Sequence, residues 1–155
     1  MGKKEVEEYF RSIGREDLKI LEFDRSSATV ELAAQAVGVA PELIAKTLTY
    51  DLKDGRHVII VASGTARVSN RKFKDCFGCK AKMMDHEEAL RLTGHAVGGV
   101  CPFGLKTPVE VYLDESLKQF EYVYPAAGEA NNAVKIRVDE FASLTGGRWI
   151  DVCGA

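Results

Sequence analysis

Apolar residues at Val6, Tyr9, Phe10 and Ile13 follow the i, i+3, i+4, i+7 rhythm of a helix with one buried stripe, and Gly14 can end it in a left-handed conformation. Residues 19–23 alternate well enough to predict a short strand. Thr29 stands as N-cap to a helix over 30–37 that Gly38 closes, and Pro41 suits the first position of a short turn. Residues 44–50 and 57–63, rich in β-branched and aliphatic side chains, flank Lys53-Asp54-Gly55 and predict a β-hairpin. A short basic helix over 70–77 ends at Gly78, residues 81–84 read as a strand, and Asp85 caps a helix that stops at Gly94. Strand patterns then recur at 109–113, 122–124, 134–138 and 149–152, with a short helix around 140–144. Strands interspersed with short helices, without a regular βαβ repeat, predict an α+β fold on a mixed sheet. No linker or repeat divides the chain, so 1–155 reads as one domain.

Composition narrows the class. Of 155 residues 46% are hydrophobic and 28% charged, with a formal net charge of −2, which favours a compact domain over a disordered one. No apolar stretch approaches the ~20 residues that cross a bilayer, and the chain opens on a charged segment, so the expectation is a cytoplasmic protein with no membrane partner. Without a secretory signal, the four cysteines read as reduced thiols. Cys76 and Cys79 form a C-x-x-C pair, but Cys101 and Cys153 supply no second pair, and His57, His86 and His95 show no ligand spacing, so no metal site is expected. The favoured reading of Cys76 and Cys79 is small buried residues around the Gly78 cap. The signatures of serine hydrolases, nucleotide hydrolases, zinc proteases and dinucleotide-binding proteins are all missing.

Three features carry candidate chemistry. Lys46 interrupts residues 44–50, a segment otherwise suited to a largely buried strand, on the face of Ile44 and Leu48, where an ammonium needs a partner or an anionic ligand; a lysine snorkelling from a sheet edge is the alternative. Gly98-Gly99-Val100-Cys101-Pro102-Phe103-Gly104 holds too many glycines for a regular element, and its amides can approach a carbonyl oxygen closely. Within that loop Cys101 is either a structural thiol or a nucleophile with a histidine as base. Residues 67–82 carry six basic side chains (Arg67, Arg71, Lys72, Lys74, Lys80, Lys82) against Asp75 alone, a patch able to meet a phosphate backbone or simply a solvated face.

Ile44-Ala45-Lys46-Thr47-Leu48, together with Thr93-Gly94-His95-Ala96-Val97 running into the glycine-rich loop and Leu105, resembles the YbaK/EbsC family. That family includes the editing insertion domain of bacterial prolyl-tRNA synthetases and free-standing aminoacyl-tRNA deacylases. The resemblance extends over Thr29-Val30-Glu31, the 58–62 strand, Val111-Tyr112-Leu113-Asp114-Glu115 and Leu144-Thr145-Gly146. It implies a mixed, partly barrel-like sheet ringed by helices, with no metal and no cofactor. It also implies a trans-editing hydrolase that removes a small amino acid (Ala, Cys, 2-aminobutyrate, Ser or Thr) from mischarged tRNA(Pro). On this reading Lys46 is catalytic, Gly98, Gly99, Val100, Cys101, Pro102, Phe103, Gly104 and Gly128 bind substrate, and Arg67, Arg71 and Lys72 bind tRNA. The implied partners are the acceptor end of tRNA and prolyl-tRNA synthetase. Cys101 stands where many members have serine, Ala126-Ala127-Gly128 replaces a serine-glycine-glycine turn, and Lys135 takes an acid's place, so the edited amino acid stays open. The alternative is a non-catalytic tRNA- or synthetase-binding module on the same scaffold.

Overall fold

A computed structural model describes residues 2–154. Helix α1 (Lys3–Ser12) buries Val6 and Phe10, and β1 (Ile20–Glu22) follows. Helix α2 (Val30–Val37) starts where the Thr29 hydroxyl accepts from the Leu32 amide at 3.2 Å. A 3₁₀ turn (Pro41–Leu43) leads into the hairpin of β2 (Ile44–Asp51) and β3 (His57–Ser63). Ser69 and Asp85 cap α3 (Asn70–Phe77) and α4 (His86–Thr93). After β4 (Glu110–Asp114) and a 3₁₀ turn (Glu115–Gln119) come β5 (Tyr122–Pro125), β6 (Asn132–Val134), β7 (Ile136–Arg137), α5 (Val138–Thr145) and β8 (Arg148–Ile150).

The strands form a six-stranded mixed sheet in the order β7-β5-β2-β3-β4-β8, curled into a half-barrel, and β1 pairs β6 apart from it. The unbroken apolar run of β3 is explained by its central place, with both faces covered. Ile59 and Val61 face a core shared with Val6, Phe10, Phe103 and Phe141, while Val58, Ile60 and Ala62 face Tyr50, Phe73 and Val152. β2 and β3 are antiparallel with Lys46 opposite Ala62, and β4 and β8 extend the sheet in parallel.

Three expectations from the sequence need correction. Residues 81–84 form no strand: β5 pairs only with Ile44 and Ala45, and the far half of β2 takes this segment through the isolated bridge of Tyr50 with Met83 before Asp85 turns the chain into α4. The 134–138 run is cut at Lys135, because Val134 pairs with Ile20 in the small sheet, Ile136 pairs with Val123 in the large one, and Val138 opens α5. Cys76 is exposed and Cys79 only half-buried, since Phe73 and Phe77 take the inward face of α3, with ring centroids 4.7 Å apart. All four cysteines are free thiols.

The chain past β8 is fastened by a buried carboxylate. Asp114 accepts hydrogen bonds from the amides of Ser116 at 2.8 Å, Val152 at 2.8 Å and Cys153 at 3.2 Å. Burial by itself would raise its pKa, but these donors hold the carboxyl below its ordinary value. A carboxyl whose folded pKa is depressed adds stability that is fully present above its unfolded value near 3.9 and disappears as pH falls through the folded one. Asp114→Ala strands buried amides at about 1–3 kcal/mol each. We expect a loss of about 3 kcal/mol in denaturant unfolding at pH 7, and a smaller difference between variant and wild type at low pH than at neutrality.

Candidate active site

Lys46 leaves β2 on the face that carries Leu48 and Tyr50, and its ammonium turns toward the chain just past β3. Nζ donates to the carbonyl of Gly64 at 3.2 Å and to that of Ala66. Among the described residues no carboxylate ion-pairs with it. An ammonium has three donors, so one remains for a ligand. Half-burial lowers the Lys46 pKa from the ordinary lysine value. Gly64 makes this placement possible, because a Cβ there would collide with the Pro41 carbonyl and approach the Val30 side chain to 2.7 Å.

Beside the lysine lies a cavity of about 240 Å³ between the start of α2, β2, the 83–89 segment and the glycine-rich loop. Its walls are mainly small and apolar, among them Ala33, Ala45, Met84, Ala89 and Ala133, and its polar groups include Thr47, Thr49 and Asn132. The Thr47 hydroxyl has no hydrogen-bond partner among the described residues. Lys46, Gly98 and Val100 all line this cavity. The Gly99 amide is taken by the Ala96 carbonyl at 2.9 Å, whereas no hydrogen bond occupies the amides of Gly98 and Val100 among the described residues. The loop is wedged tightly: a Cβ on Gly98 would lie 2.8 Å from that of Ala28, and one on Gly99 would lie 2.5 Å from the Glu129 nitrogen.

The remaining loop residues lie behind this wall. Cys101, Pro102 and Phe103 are buried outside the cavity lining, and Phe103 meets the Phe10 ring edge-on at 4.9 Å. Gly104 packs on the backbone of Glu5, and Gly128 supports the loop by donating to the Gly99 carbonyl at 3.0 Å. Burial pushes the Cys101 thiol up to about 12. His95 Nε2, 3.6 Å from that sulfur, lies 2.7 Å from the Phe103 carbonyl, and burial lowers the imidazole's pKa. A protonated, enclosed thiol of this kind is a poor nucleophile.

A second, wider groove of about 640 Å³ shares Val30, Lys46 and Met83 with the cavity and adds Glu31, Tyr50, Thr65 and Arg67. Lys46 therefore stands where the cavity meets a wider groove that also carries the charged side chains of Glu31 and Arg67. Arg71 lines a separate surface hollow with Lys74 and Lys80. Lys72 is engaged within the protein, with Asp151 at 3.0 Å and the Cys153 carbonyl at 2.8 Å. The sequence reading missed the Gly64 and Ala66 carbonyls that hold the lysine, and the part played by Met83, Met84 and Asn132 in the cavity. A glycine directly after a strand was the one available signal.

The aminoacyl-tRNA editing domain model matches residues 24–144. The chain therefore belongs to that family, and the class of activity this indicates is deacylation of aminoacyl-tRNA. Among curated proteins it is 44% identical over 154 residues to the uncharacterized protein YwhH of Bacillus subtilis, covering 99% of this chain and 98% of that one. It is 29% identical over 126 residues to EbsC of Enterococcus faecalis, provisionally described as a Cys-tRNA(Pro)/Cys-tRNA(Cys) deacylase, covering 80% of this chain and 76% of that one. It also matches the proline–tRNA ligase of Pelobacter propionicus at 30% identity over 120 residues, 77% of this chain but 21% of the ligase. A crystal structure provisionally described as a trans-editing enzyme for prolyl-tRNA synthetase superposes with a TM-score of 0.91 at 31% identity, covering 99% of this chain and 98% of that one. Among the described residues no helix is long and apolar enough to cross a membrane.

The contact made by Gly64 gives a direct test of how the lysine is held. Gly64→Ala forces the strand end away from Pro41 and Val30, and overpacking of this kind costs about 1–3 kcal/mol. Thermal unfolding should show a lowered melting temperature. Deacylation by the folded variant should also fall, because the carbonyl that orients Lys46 moves with residue 64.

Proposed function

We propose that this protein is a free-standing trans-editing hydrolase that cleaves the ester joining a small amino acid to the terminal adenosine of a mischarged tRNA, with tRNA(Pro) the preferred carrier. The reading rests above all on one observation, the shared lining of a small apolar cavity by Lys46, Gly98 and Val100. A volume of about 240 Å³ with alanines prominent in its wall suits a small side chain such as that of Ala, 2-aminobutyrate, Cys, Ser or Thr. The acyl group occupies the cavity, and the terminal nucleotide lies in the adjoining groove with its phosphate toward Arg67.

In this arrangement the ester carbonyl lies at the junction. The free donor of Lys46 and the unoccupied amides of Gly98 and Val100 stabilise the negative charge that develops on the carbonyl oxygen as water attacks. The tetrahedral intermediate collapses by expelling the ribose oxygen, which takes up a proton and leaves tRNA and the free amino acid. A neighbouring ribose hydroxyl can position the water, so neither a side-chain nucleophile nor a metal is needed for the chemistry. Gly99, Cys101, Pro102, Phe103, Gly104 and Gly128 act from behind by fixing the loop. Arg67 and Arg71 take acceptor-end phosphates, with Lys72 set back against Asp151. Met83 and Val97, each 57% exposed at the cavity rim, offer an apolar lip to the substrate. Prolyl-tRNA synthetase is the natural source of such mischarged tRNA and a candidate partner, and the cytoplasm is the compartment that this substrate requires.

Lys46→Ala should lower deacylation of the true substrate by about 10²-fold or more while leaving the melting temperature nearly unchanged; near-normal turnover at substoichiometric enzyme would overturn the role. A panel of mischarged tRNAs identifies the amino acid, and preference for an aromatic ester would contradict the proposed choice of a small side chain. The ammonium form of Lys46 is the active one and burial lowers its pKa. Activity, corrected for spontaneous ester hydrolysis, should therefore be full at low and neutral pH and fall as pH rises, at a pH below the ordinary lysine value of about 10.4. Arg67→Glu and Arg71→Glu should each weaken tRNA binding and reduce its salt dependence by about one unit of log–log slope; salt-independent binding would remove both residues from the interface.

A further inference from the structure

The turn end of the β2–β3 hairpin and the first turn of α4 bring together three side chains that the proposed chemistry does not use. Asp51 ends β2 and His57 begins β3; they are register partners, and His57 Nδ1 lies 2.7 Å from Asp51 Oδ1. Glu88 reaches the same point from α4. That helix is anchored to β2 by hydrogen bonds from the Asp51 amide to the Lys82 carbonyl at 2.8 Å and from the Met84 amide to the Thr49 carbonyl at 3.0 Å. One donor atom from each of the three side chains lies within 4.8 Å of the others, and all three residues are partly buried. Among the described residues neither carboxylate forms an ion pair with a lysine or arginine, although ten ion pairs occur elsewhere or at the Asp51–His57 contact itself.

We propose that Asp51, His57 and Glu88 bind one divalent transition-metal ion, with Zn²⁺ or Mn²⁺ the fitting class, and that the ion pins α4 to the β2–β3 hairpin. One imidazole with two carboxylates is a donor set that such ions accept and that Mg²⁺ and Ca²⁺, which favour all-oxygen ligands, match less well. Donors about 2.0–2.2 Å from a tetrahedral zinc stand about 3.4 Å from each other, so binding opens the 2.7 Å Asp51–His57 contact slightly and draws in the donors that stand up to 4.8 Å apart. Water completes the coordination on the open side. Beyond the Asp51–His57 contact, the ion adds positive charge beside two carboxylates that pair with no lysine or arginine among the described residues. The site stands apart from Lys46 and takes no part in ester cleavage. Its influence passes through α4, which contributes His86 and Ala89 to the acyl cavity, and through Met83 and Met84 just before it.

The test uses the whole chain, freed of metal with a chelator, and ZnCl₂, MnCl₂ or MgCl₂ alone as probe. Titration calorimetry should give one site per chain for Zn²⁺ or Mn²⁺, and the melting temperature should rise by about 5 °C or more once the ion exceeds its Kd a hundredfold. His57→Ala and Glu88→Gln should each weaken binding at least tenfold, whereas the Cys76→Ser/Cys79→Ser double variant should bind as the wild type does. The Co²⁺-loaded wild-type protein gives a readout that needs no variant: weak visible bands without thiolate charge-transfer absorption in the near ultraviolet. No saturable binding, binding unchanged in both His57→Ala and Glu88→Gln, or a thiolate signature lost with Cys76 and Cys79 would each overturn the proposal.

Discussion

Everything at the candidate site depends on how a single ammonium is kept in a place where it is costly. Lys46 projects from a strand that is otherwise largely buried, and half-burial strips it of part of its hydration. The protein offsets that cost with two main-chain carbonyls, those of Gly64 and Ala66, rather than with a carboxylate. The choice has a chemical consequence. A carboxylate partner would neutralise the cation and occupy it, whereas neutral carbonyl dipoles orient it and leave its full charge directed at a ligand. The constraint then passes outward through the structure. Gly64 has to be glycine because its backbone passes against Pro41 and Val30, and the start of α2 has to sit where Val30 meets that turn.

The opposite wall is built in the same way, from backbone packed too closely for side chains. Gly98 faces Ala28, Gly99 faces Glu129, and Gly128 returns a hydrogen bond to the Gly99 carbonyl. Behind these contacts Cys101 and Phe103 plug the main core, where Phe10 and Phe141 meet them. The glycine-rich loop therefore divides into a front edge, Gly98 and Val100, that faces the cavity, and a rear that anchors it. A loop held at its rear presents its amides without rearrangement, and it is this prior organisation that makes main-chain donors useful to a reaction that develops charge.

The sequence displayed some of this clearly and concealed the rest for identifiable reasons. Helices α2, α3 and α4 were readable at both ends, because Thr29, Ser69 and Asp85 cap their starts and Gly38, Gly78 and Gly94 their ends, all of them local signals. The hairpin was equally plain. Residues 81–84 and 134–138 misled because each has strand-like composition, yet what becomes of it is decided by partners distant in the chain: β5 stops short on β2, and the chain changes sheets at Lys135. At the site, Lys46 stood out as a charge within a segment otherwise suited to a buried strand. Its partners did not, since a carbonyl leaves no trace in residue type. Likewise His57 had no neighbour at ligand spacing in the sequence, and only the hairpin register and the placement of α4 set it beside Asp51 and Glu88.

The two halves of the site differ in how they are supported, and that difference bears on how substrate choice could change while the chemistry persists. Lys46 belongs to β2, paired along its length with the central strand β3, which is buried over residues 58–63, so its position is fixed by the core of the molecule. The far wall of the cavity is made by Met83, Met84 and Ala89, on a segment joined to β2 by one isolated bridge and a short helix, and by Val97 on a loop. On the proposed function, in which the cavity takes the amino acid side chain, substitutions there alter the volume offered to it without touching the sheet, and one methylene in such a cavity shifts discrimination by about 1–3 kcal/mol. A scaffold of this design can therefore keep one arrangement of cation and amides and still select different small esters. The departures at Cys101, Ala126 and Lys135 fit that division: Cys101 lies behind the wall, Ala126 lines the cavity, and Lys135 sits outside it over the Tyr122 ring, 4.2 Å from its centre. Of the three, only Ala126 is placed to act on the choice of amino acid by direct contact.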